Sequence, residues 1–266
     1  MANSNFVNPG RTFFKGIKSG FFYVFVSWKF IGKNKGFIKF FIIPFFTNII
    51  ILLTFSYISF IKAYPYLYSL LPEGNNIIYT VLKYIAAPLL AGILVLTVVL
   101  LYSITGAITS SFFYDLISQK TELIIKGSVK DEKFSIGMII ADMIRTFSNI
   151  LKILVFLICL NCVLFLLNFI PAAGTVLYSI GTYFSLTFFF GFQFIELIMD
   201  RRKMTFGRKL KTAFHYKWTV CGIGSGFLLM TLIPLIGFLT PGAGAVAGTI
   251  FYLDSIEPAV SSEKRD

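Results

Sequence analysis

Four long stretches without a charged residue constrain this chain more than any other feature. They cover residues 40–61, 84–114, 153–195 and 218–253. A helix needs about 20 predominantly apolar residues to cross the hydrocarbon core of a bilayer, and a helix satisfies all of its own backbone hydrogen bonds there. The sequence therefore predicts an all-α integral membrane protein, organised as a single membrane domain over residues 1–266.

The overall composition agrees with this prediction and excludes most soluble enzymes. Hydrophobic residues make up 56% of the chain and charged residues 14%, whereas soluble domains average about 45–50% apolar and about 25% charged residues. Residues 40–61 and 84–114 are each long enough to span a bilayer without a break, the second with some tilt. We predict a transmembrane helix over each of these two ranges.

The last two uncharged stretches contain helix-breaking corners and are predicted to be membrane-inserted hairpins. The pattern Ile-Pro-x-x-Gly occurs in both, with Pro171 and Gly174 in the first and Pro234 and Gly237 in the second. The second arm of the hairpin at 218–253, residues 243–253, is too short to cross at 1.5 Å per residue, so a re-entrant hairpin is expected. The shared pattern indicates either an internal repeat of the kind found in transporters or two unrelated tight turns.

The N-terminal segment is basic, aromatic and free of acids. Seven Lys or Arg residues and no Asp or Glu lie between Met1 and Lys39. Such a segment favours a helix that lies on an anionic membrane surface. We predict an interfacial amphipathic helix over residues 12–31, with membrane lipids as its partner.

The net charge of +12 is concentrated outside the uncharged stretches. Of the 24 basic residues, 22 lie in segments 1–39, 115–152, 196–217 and the C-terminal tail. All four segments face the cytoplasm if each hairpin enters and leaves on the same side, which agrees with the positive-inside rule. The charge therefore indicates membrane topology, and we expect no nucleic-acid partner.

The sequence offers little for catalysis or metal binding. His215 is the only histidine, and Cys159 and Cys162 form a C-x-x-C pair inside an apolar stretch, with no second pair. Cysteine in such a place behaves as a small hydrophobic residue. We expect no enzyme activity, no metal and no cofactor.

One cluster favours anion binding. Lys35 and Lys39 flank Gly36 at the start of the first predicted transmembrane helix. A helix N-terminus offers unpaired backbone N–H groups and about half a positive charge, and glycine permits close approach of an oxyanion. The alternative is that these lysines only anchor the helix at the membrane surface.

Several segments together resemble the CysZ-type sulfate permease family. They follow one another in order over most of the chain, about residues 12–254, and are Gly20–Lys29, Gly36–Asn48, Phe112–Asp115, Ile170–Pro171, Gln193–Glu196, Asp200–Arg202 and Phe206–Asp254. The resemblance implies a bacterial inner-membrane protein with two long transmembrane helices and partly inserted hairpins. It also implies homo-oligomers that pass sulfate into the cell for cysteine biosynthesis, in a channel-like manner.

The resemblance also implies where an anion binds. The family motif is Gly–apolar–Arg, and the matching positions here are Gly36, Phe37 and Ile38, followed by the basic residue Lys39. We predict that these four residues bind sulfate or a related oxyanion, with Lys35 as a helper. Arg145, Arg201 and Arg202 are predicted to supply positive potential at the cytoplasmic mouth. The competing hypothesis is a membrane scaffold or assembly protein that carries no solute.

Overall fold

The structure is a computed structural model that describes residues 12–72, 74, 76–127, 136–171 and 173–258. Nine α-helices lie within these ranges, and the ranges contain no strand. The helices are α1 (Phe13–Lys33), α2 (Ile38–Tyr57), α3 (Tyr64–Ser69), α4 (Ile77–Lys126), α5 (Ile136–Phe165), α6 (Gly174–Arg201), α7 (Phe206–His215), α8 (Lys217–Thr231) and α9 (Pro234–Phe251). The prediction of an all-α protein is confirmed.

Four helical segments in the described part of the chain are long and apolar enough to cross a membrane. They are Lys35–Ser69, Ile77–Lys126, Leu151–Phe169 and Gly174–Arg201. The first two include the predicted transmembrane ranges 40–61 and 84–114, and the last two include the arms of the hairpin predicted over 153–195. The helices of the second predicted hairpin, α8 and α9, are shorter, at 15 and 18 residues.

The two proline corners share one hydrogen-bonding pattern. At each corner the isoleucine, Ile170 or Ile233, donates its N–H to the carbonyl three residues earlier, at 3.0 and 3.1 Å. The glycine four residues later, Gly174 or Gly237, then donates to that isoleucine's carbonyl, at 3.0 and 2.6 Å. Both isoleucines are extended, with ψ of 117° and 109°, as expected for a residue that precedes proline.

Packing divides the chain into two compact units. Unit 1 consists of Met1–Ile38 and Tyr114–Asp266, and unit 2 consists of Lys39–Phe113. In unit 2, Asn48 of α2 donates a hydrogen bond to Ser110 of α4 at 3.1 Å. Most apolar side chains of these two helices are exposed, as expected for surfaces that face lipid or other apolar protein.

The core of unit 1 is formed by α8, which packs between α1 and α6, with α9 against all three. Close approach of the backbones is possible because of glycine. A Cβ at Gly224 would overlap the backbone carbonyl oxygen of Thr187, and a Cβ at Gly20 would overlap that of Thr219. Small residues at helix interfaces are typical of membrane proteins, where helices associate through close packing.

Helix α1 is not a free surface helix, because one of its faces is part of this core. The side chains of Tyr23 and Val24 are almost completely buried, and Tyr23 packs edge to face against Phe251 of α9. The opposite face carries lysines and phenylalanines and is exposed. The sequence predicted a helix here but gave no reason to expect that it packs on α8.

Candidate functional site

The predicted anion-binding residues begin at a short, well-defined turn between α1 and α2. Asn34 ends α1, and its side-chain amide and backbone N–H both donate to the carbonyl of Phe30, at 2.8 and 3.2 Å. A single 3₁₀ turn, Lys35–Phe37, follows and runs directly into α2. Phe37 N–H donates to the carbonyl of Asn34 at 2.9 Å. The N–H groups of Lys35 and Gly36 therefore precede the first hydrogen bond of this turn.

The phenyl ring of Phe37 fixes this turn in place. Its side chain is completely buried and packs edge to face against Phe30, with 5.8 Å between the ring centroids. Gly36, beside it, is exposed. The buried ring anchors the turn while its neighbour keeps its backbone accessible, which is the arrangement that an anion site on backbone N–H groups requires.

A lysine from a distant part of the chain lies at this turn. The Nζ atom of Lys120, on α4, lies 3.4 Å from the position that a Cβ of Gly36 would occupy. The same atom lies 5.8 Å from the centroid of the Phe37 ring. Unit 1 therefore brings a backbone turn and an ammonium group together. Sequence analysis did not assign Lys120 to this site, and no local pattern around it signals the contact.

The other predicted anion-binding residues are exposed. Ile38, the first residue of α2, is 52% exposed. Lys35 is also exposed. In unit 2, the Nζ atom of Lys39 lies 5.3 Å from the centroid of the Phe40 ring, so its ammonium rests over an aromatic face.

Two of the three arginines predicted to line the cytoplasmic mouth, Arg201 and Arg202, are paired with acidic side chains of α4. Arg201 donates from Nη1 to Asp115 Oδ1 at 2.7 Å and from Nη2 to Glu122 Oε2 at 3.3 Å. It also donates to Ser118 Oγ at 2.8 Å, and Ser118 shares a 2.6 Å hydrogen bond with Thr249 of α9. These contacts join the end of α6 to α4 and α9.

Arg202 and Lys126 extend the same network to the segment after α9. Arg202 is paired with Glu122 and with Glu257, the latter at 3.1 Å. Lys126 Nζ lies 2.5 Å from the second carboxylate oxygen of Glu257. Burial by itself lowers the pKa of the Arg202 guanidinium, but Glu122 and then Glu257 outweigh this effect, so the pKa lies above its ordinary value.

Among the described residues, these contacts pair three cations, Arg201, Arg202 and Lys126, with three carboxylates, Asp115, Glu122 and Glu257. Arg201 and Arg202 therefore do not present bare positive charge in this conformation. One donor remains: the Nε atom of Arg201 is buried and makes no hydrogen bond to the described residues. The side chain of Arg145 lies outside the described residues.

A second ion-pair cluster docks α7 on α6. The side chain of Lys209 is completely buried, and its Nζ lies 2.9 Å from Glu196 Oε1 and 2.6 Å from Asp200 Oδ1. A buried ammonium group is costly unless it is paired and hydrogen-bonded. Lys209 was not among the residues predicted to have a role.

The cysteines are free thiols. Cys159 and Cys162 are exposed and Cys221 is buried. The described residues contain no group of three or more His, Cys, Asp or Glu side chains placed to hold a metal ion.

Comparison with known proteins identifies the family. The family model described as "Sulfate transporter CysZ/Etoposide-induced protein 2.4" matches residues 23–241, which is more than four fifths of the chain. This chain belongs to the CysZ/Etoposide-induced protein 2.4 family. The matched region contains the Gly36 turn, Lys120, both arginines and both proline corners, whereas Thr249 and Glu257 of the ion-pair network lie beyond it.

Individual members of the CysZ family also match. The sulfate transporter CysZ of Pseudomonas syringae pv. tomato is 25% identical over 172 residues, which cover 65% of this chain and 68% of that protein. The sulfate transporters CysZ of Pseudomonas paraeruginosa and Pseudomonas aeruginosa are 24% identical over 172 residues, which cover 65% of this chain and 70% of each protein.

Family membership and the four apolar helices together identify a membrane protein. The resemblance stated from the sequence is thereby confirmed at the level of the family. The matching relatives are named as transporters, which agrees with the prediction of a protein that is not an enzyme.

Proposed function

We propose that this protein is a permease for sulfate or a related oxyanion in the bacterial inner membrane, where it supplies sulfate assimilation and cysteine biosynthesis. The observation that carries the proposal is the family match over residues 23–241, together with relatives named sulfate transporters. The relatives are bacterial, and the basic segments of the chain suit cytoplasmic loops.

The proposed anion site is the turn that begins at Lys35. Its backbone N–H groups at Lys35 and Gly36 and the ammonium of Lys120 lie within one small region of unit 1. Phe37 anchors the turn, Ile38 takes the position of the family's arginine, and Lys39 follows in sequence. Lysine is a point charge without the planar fork of arginine, so we propose weak attraction from several points, as conduction requires.

The proposed route passes the basic mouth formed by Arg145, Arg201 and Arg202. Two of these arginines are paired with carboxylates, so an anion that reaches them must compete with Asp115, Glu122 and Glu257. The Nε donor of Arg201 is buried and makes no hydrogen bond to the described residues, so in this proposal an anion reaches it only after a carboxylate has been displaced. In this proposal the ion pairs keep the mouth closed until an anion replaces a carboxylate.

The proposed arrangement in the membrane is a single domain over residues 1–266. Helices α2 and α4 span the bilayer, α1 lies at the interface, and the pairs α5–α6 and α8–α9 form inserted hairpins. The shared hydrogen-bonding pattern at the two proline corners supports their equivalence. Protein copies assemble into a homo-oligomer within the membrane lipids, and transport needs no ATP.

The test is uptake of radiolabelled sulfate into proteoliposomes that contain the purified protein. Sulfate should accumulate inside faster than in empty vesicles, and unlabelled sulfate should compete. Helical content measured by circular dichroism ensures that the reconstituted protein is folded. If folded protein gives no more uptake than empty vesicles, the permease proposal is wrong, and a membrane scaffold without a solute path becomes the better explanation.

A further inference from the structure

Helix α1 has an exposed face that is chemically unlike the rest of the surface. At 100° per residue, the exposed lysines of α1 and three of its four exposed phenylalanines fall within a sector of about 100°, and its buried residues fall on the opposite side. The fourth exposed phenylalanine, Phe13, lies on the buried side and packs against Trp218. We name this face the outer stripe. Its members are Phe14, Lys15, Lys18, Phe22, Phe25, Lys29 and Lys33.

The outer stripe is strongly basic and has no acid near it in sequence. The first acidic residue of the chain is Glu73. In the part of the chain that the structure describes, none of the four lysines of the stripe forms an ion pair. Among the described residues, therefore, no acidic side chain balances the four ammonium groups of the stripe.

The outer stripe is poorly suited to bulk water, because its phenylalanine rings would be exposed there. Phe14 is 82% exposed and Phe25 is 63% exposed, and both alternate along the helix with lysines. Four ammonium groups likewise exclude the hydrocarbon core, where each charge is costly. The headgroup layer satisfies both requirements, because it offers phosphates to the lysines and the edge of the acyl chains to the rings.

The charge of the outer stripe also makes a second copy of this chain an unfavourable partner for this surface. A two-fold contact through the outer stripe would place the same lysines against each other. An anionic headgroup is instead complementary to every lysine of the stripe.

We propose that the outer stripe of α1 is a binding surface for anionic phospholipid headgroups. This inference extends the interfacial position proposed for α1 above, and it does not depend on which anion the protein carries. Each lysine near an anionic surface contributes about fivefold to the affinity. The contact should therefore depend on lysine number and weaken at high ionic strength.

Tryptophan fluorescence gives a direct test, because the chain has only two tryptophans. Trp28 lies in α1, and its Nε1 donates to Met230 Sδ of α8 at 3.0 Å. In a Trp218→Phe background, Trp28 alone reports on α1. The protein is reconstituted in phosphatidylcholine vesicles that carry a minor fraction of brominated phosphatidylglycerol or, in parallel, the same fraction of brominated phosphatidylcholine.

The brominated phosphatidylglycerol should quench Trp28 more strongly than the brominated phosphatidylcholine, because the anionic lipid is enriched beside the stripe. This excess should disappear when Gln replaces the four lysines at positions 15, 18, 29 and 33. It should persist in a control that removes four charges elsewhere, namely Lys62→Gln, Lys83→Gln, Arg208→Gln and Lys211→Gln.

Equal quenching by the two lipids in the unsubstituted stripe overturns the proposal, as does an excess that survives loss of the four lysines. A change in oligomer mass in detergent on loss of the lysines, without a change in quenching, assigns the stripe to a second copy and also overturns it. Sulfate uptake measured in the same vesicles distinguishes loss of lipid binding from loss of the proposed transport function.

Discussion

Lys120 adds a positive charge to the proposed anion site that the residues next to Gly36 in sequence did not predict. It lies on α4, yet its ammonium reaches the turn at Gly36. The family's arginine is absent from the local motif, and Ile38 takes its place. A cation delivered by a neighbouring helix supplies part of the charge that the local motif lacks.

Replacing Lys120 should therefore weaken the binding of sulfate. Loss of a charged hydrogen-bonding group costs about 1.5–3 kcal/mol, so Lys120→Gln should raise the half-saturating sulfate concentration for uptake by about ten- to a hundredfold, and Lys120→Arg should retain most of the affinity. The concentration dependence of uptake into proteoliposomes measures this. Lys62→Gln is the control for loss of a lysine, and an unchanged half-saturating concentration in Lys120→Gln would remove Lys120 from the site.

The close packing of α8 on α6 requires glycine at position 224. A Cβ there would overlap the backbone of Thr187 and lie 2.8 Å from the amide nitrogen of Gly191 on α6. Backbone atoms cannot move aside as side-chain ends do, so α8 and α6 would have to separate.

Gly224→Ala should therefore destabilise the protein by about 1–3 kcal/mol, the usual cost of overpacking. At Gly92 no atom lies within 4 Å of an added Cβ, and Gly92→Ala should stabilise α4 by up to about 1 kcal/mol, since alanine is the better helix former. Thermal unfolding in detergent measures both. Equal melting temperatures for the two variants would contradict the packing at α8.

At the scale of elements, α7 depends on one buried cation. Lys209 is 0% exposed and holds both Glu196 and Asp200 of α6. Lys209→Met keeps the unbranched side chain but leaves two carboxylates without their shared cation. Breaking a buried ion pair in this way costs about 3–5 kcal/mol.

Residues 206–215 should then exchange their amide hydrogens faster, and the melting temperature should fall. Lys211→Met is the matched control, because this lysine is on the same helix and is exposed. Hydrogen exchange followed by mass spectrometry makes the comparison. If both variants exchange alike, Lys209 does not dock α7.

The ion-pair network joins α4, α6 and the segment after α9. We expect substitutions of its two paired residues Glu257 and Arg202 to change sulfate uptake in opposite directions. Glu257 is paired with Arg202 and Lys126, and its side chain is 30% exposed. Pairs with this exposure contribute up to about 1 kcal/mol to stability, so Glu257→Gln should fold normally.

If these pairs keep the mouth closed, Glu257→Gln should raise sulfate uptake severalfold, because it relieves one competitor for Arg202. Arg202→Gln should lower uptake, because it removes a cation from the path. Initial rates in proteoliposomes measure both changes. A fall in uptake for both variants would indicate that the network only holds the helices together.

At the scale of the whole molecule, three of the four long apolar helices in the described part of the chain are little buried, including Leu151–Phe169 of unit 1, whose most apolar window is 6% buried. Of the most apolar windows within Lys35–Ser69 and Ile77–Lys126, only 11% of the residues are buried within one chain. The dense core of unit 1, by contrast, is built from α1, α6, α8 and α9. We therefore expect lipid or further copies of the chain to cover the long apolar helices.

We expect copies of the chain to cover part of this surface. Light scattering coupled to gel filtration in mild detergent should give a protein mass that is a multiple of the 30.0 kDa chain. The detergent contribution is subtracted by refractive index and absorbance. A protein mass of one chain at all concentrations would contradict the homo-oligomer.

The sequence by itself determined the all-helical fold class and the apolar ranges 40–61, 84–114 and 153–195, which contain the most apolar parts of the four helices long enough to cross a membrane. Uncharged runs of bilayer length are a local property, and local runs with internally paired backbones need no tertiary partner to be recognised. The ordered motifs from Gly20 to Asp254 likewise sufficed to identify the family. The corners at Pro171 and Pro234 were also visible, because proline and glycine act on the backbone at their own positions.

Only the tertiary structure decided which charges meet. The contacts of Arg201 and Arg202 with Glu122 join residues 79 and 80 positions apart, and Lys120 reaches Gly36 from another helix. The burial of one face of α1 against α8 is of the same kind. No spacing along the chain encodes such contacts, because they arise where separate helices pack, and the backbone distance at each crossing sets which side chains lie within reach.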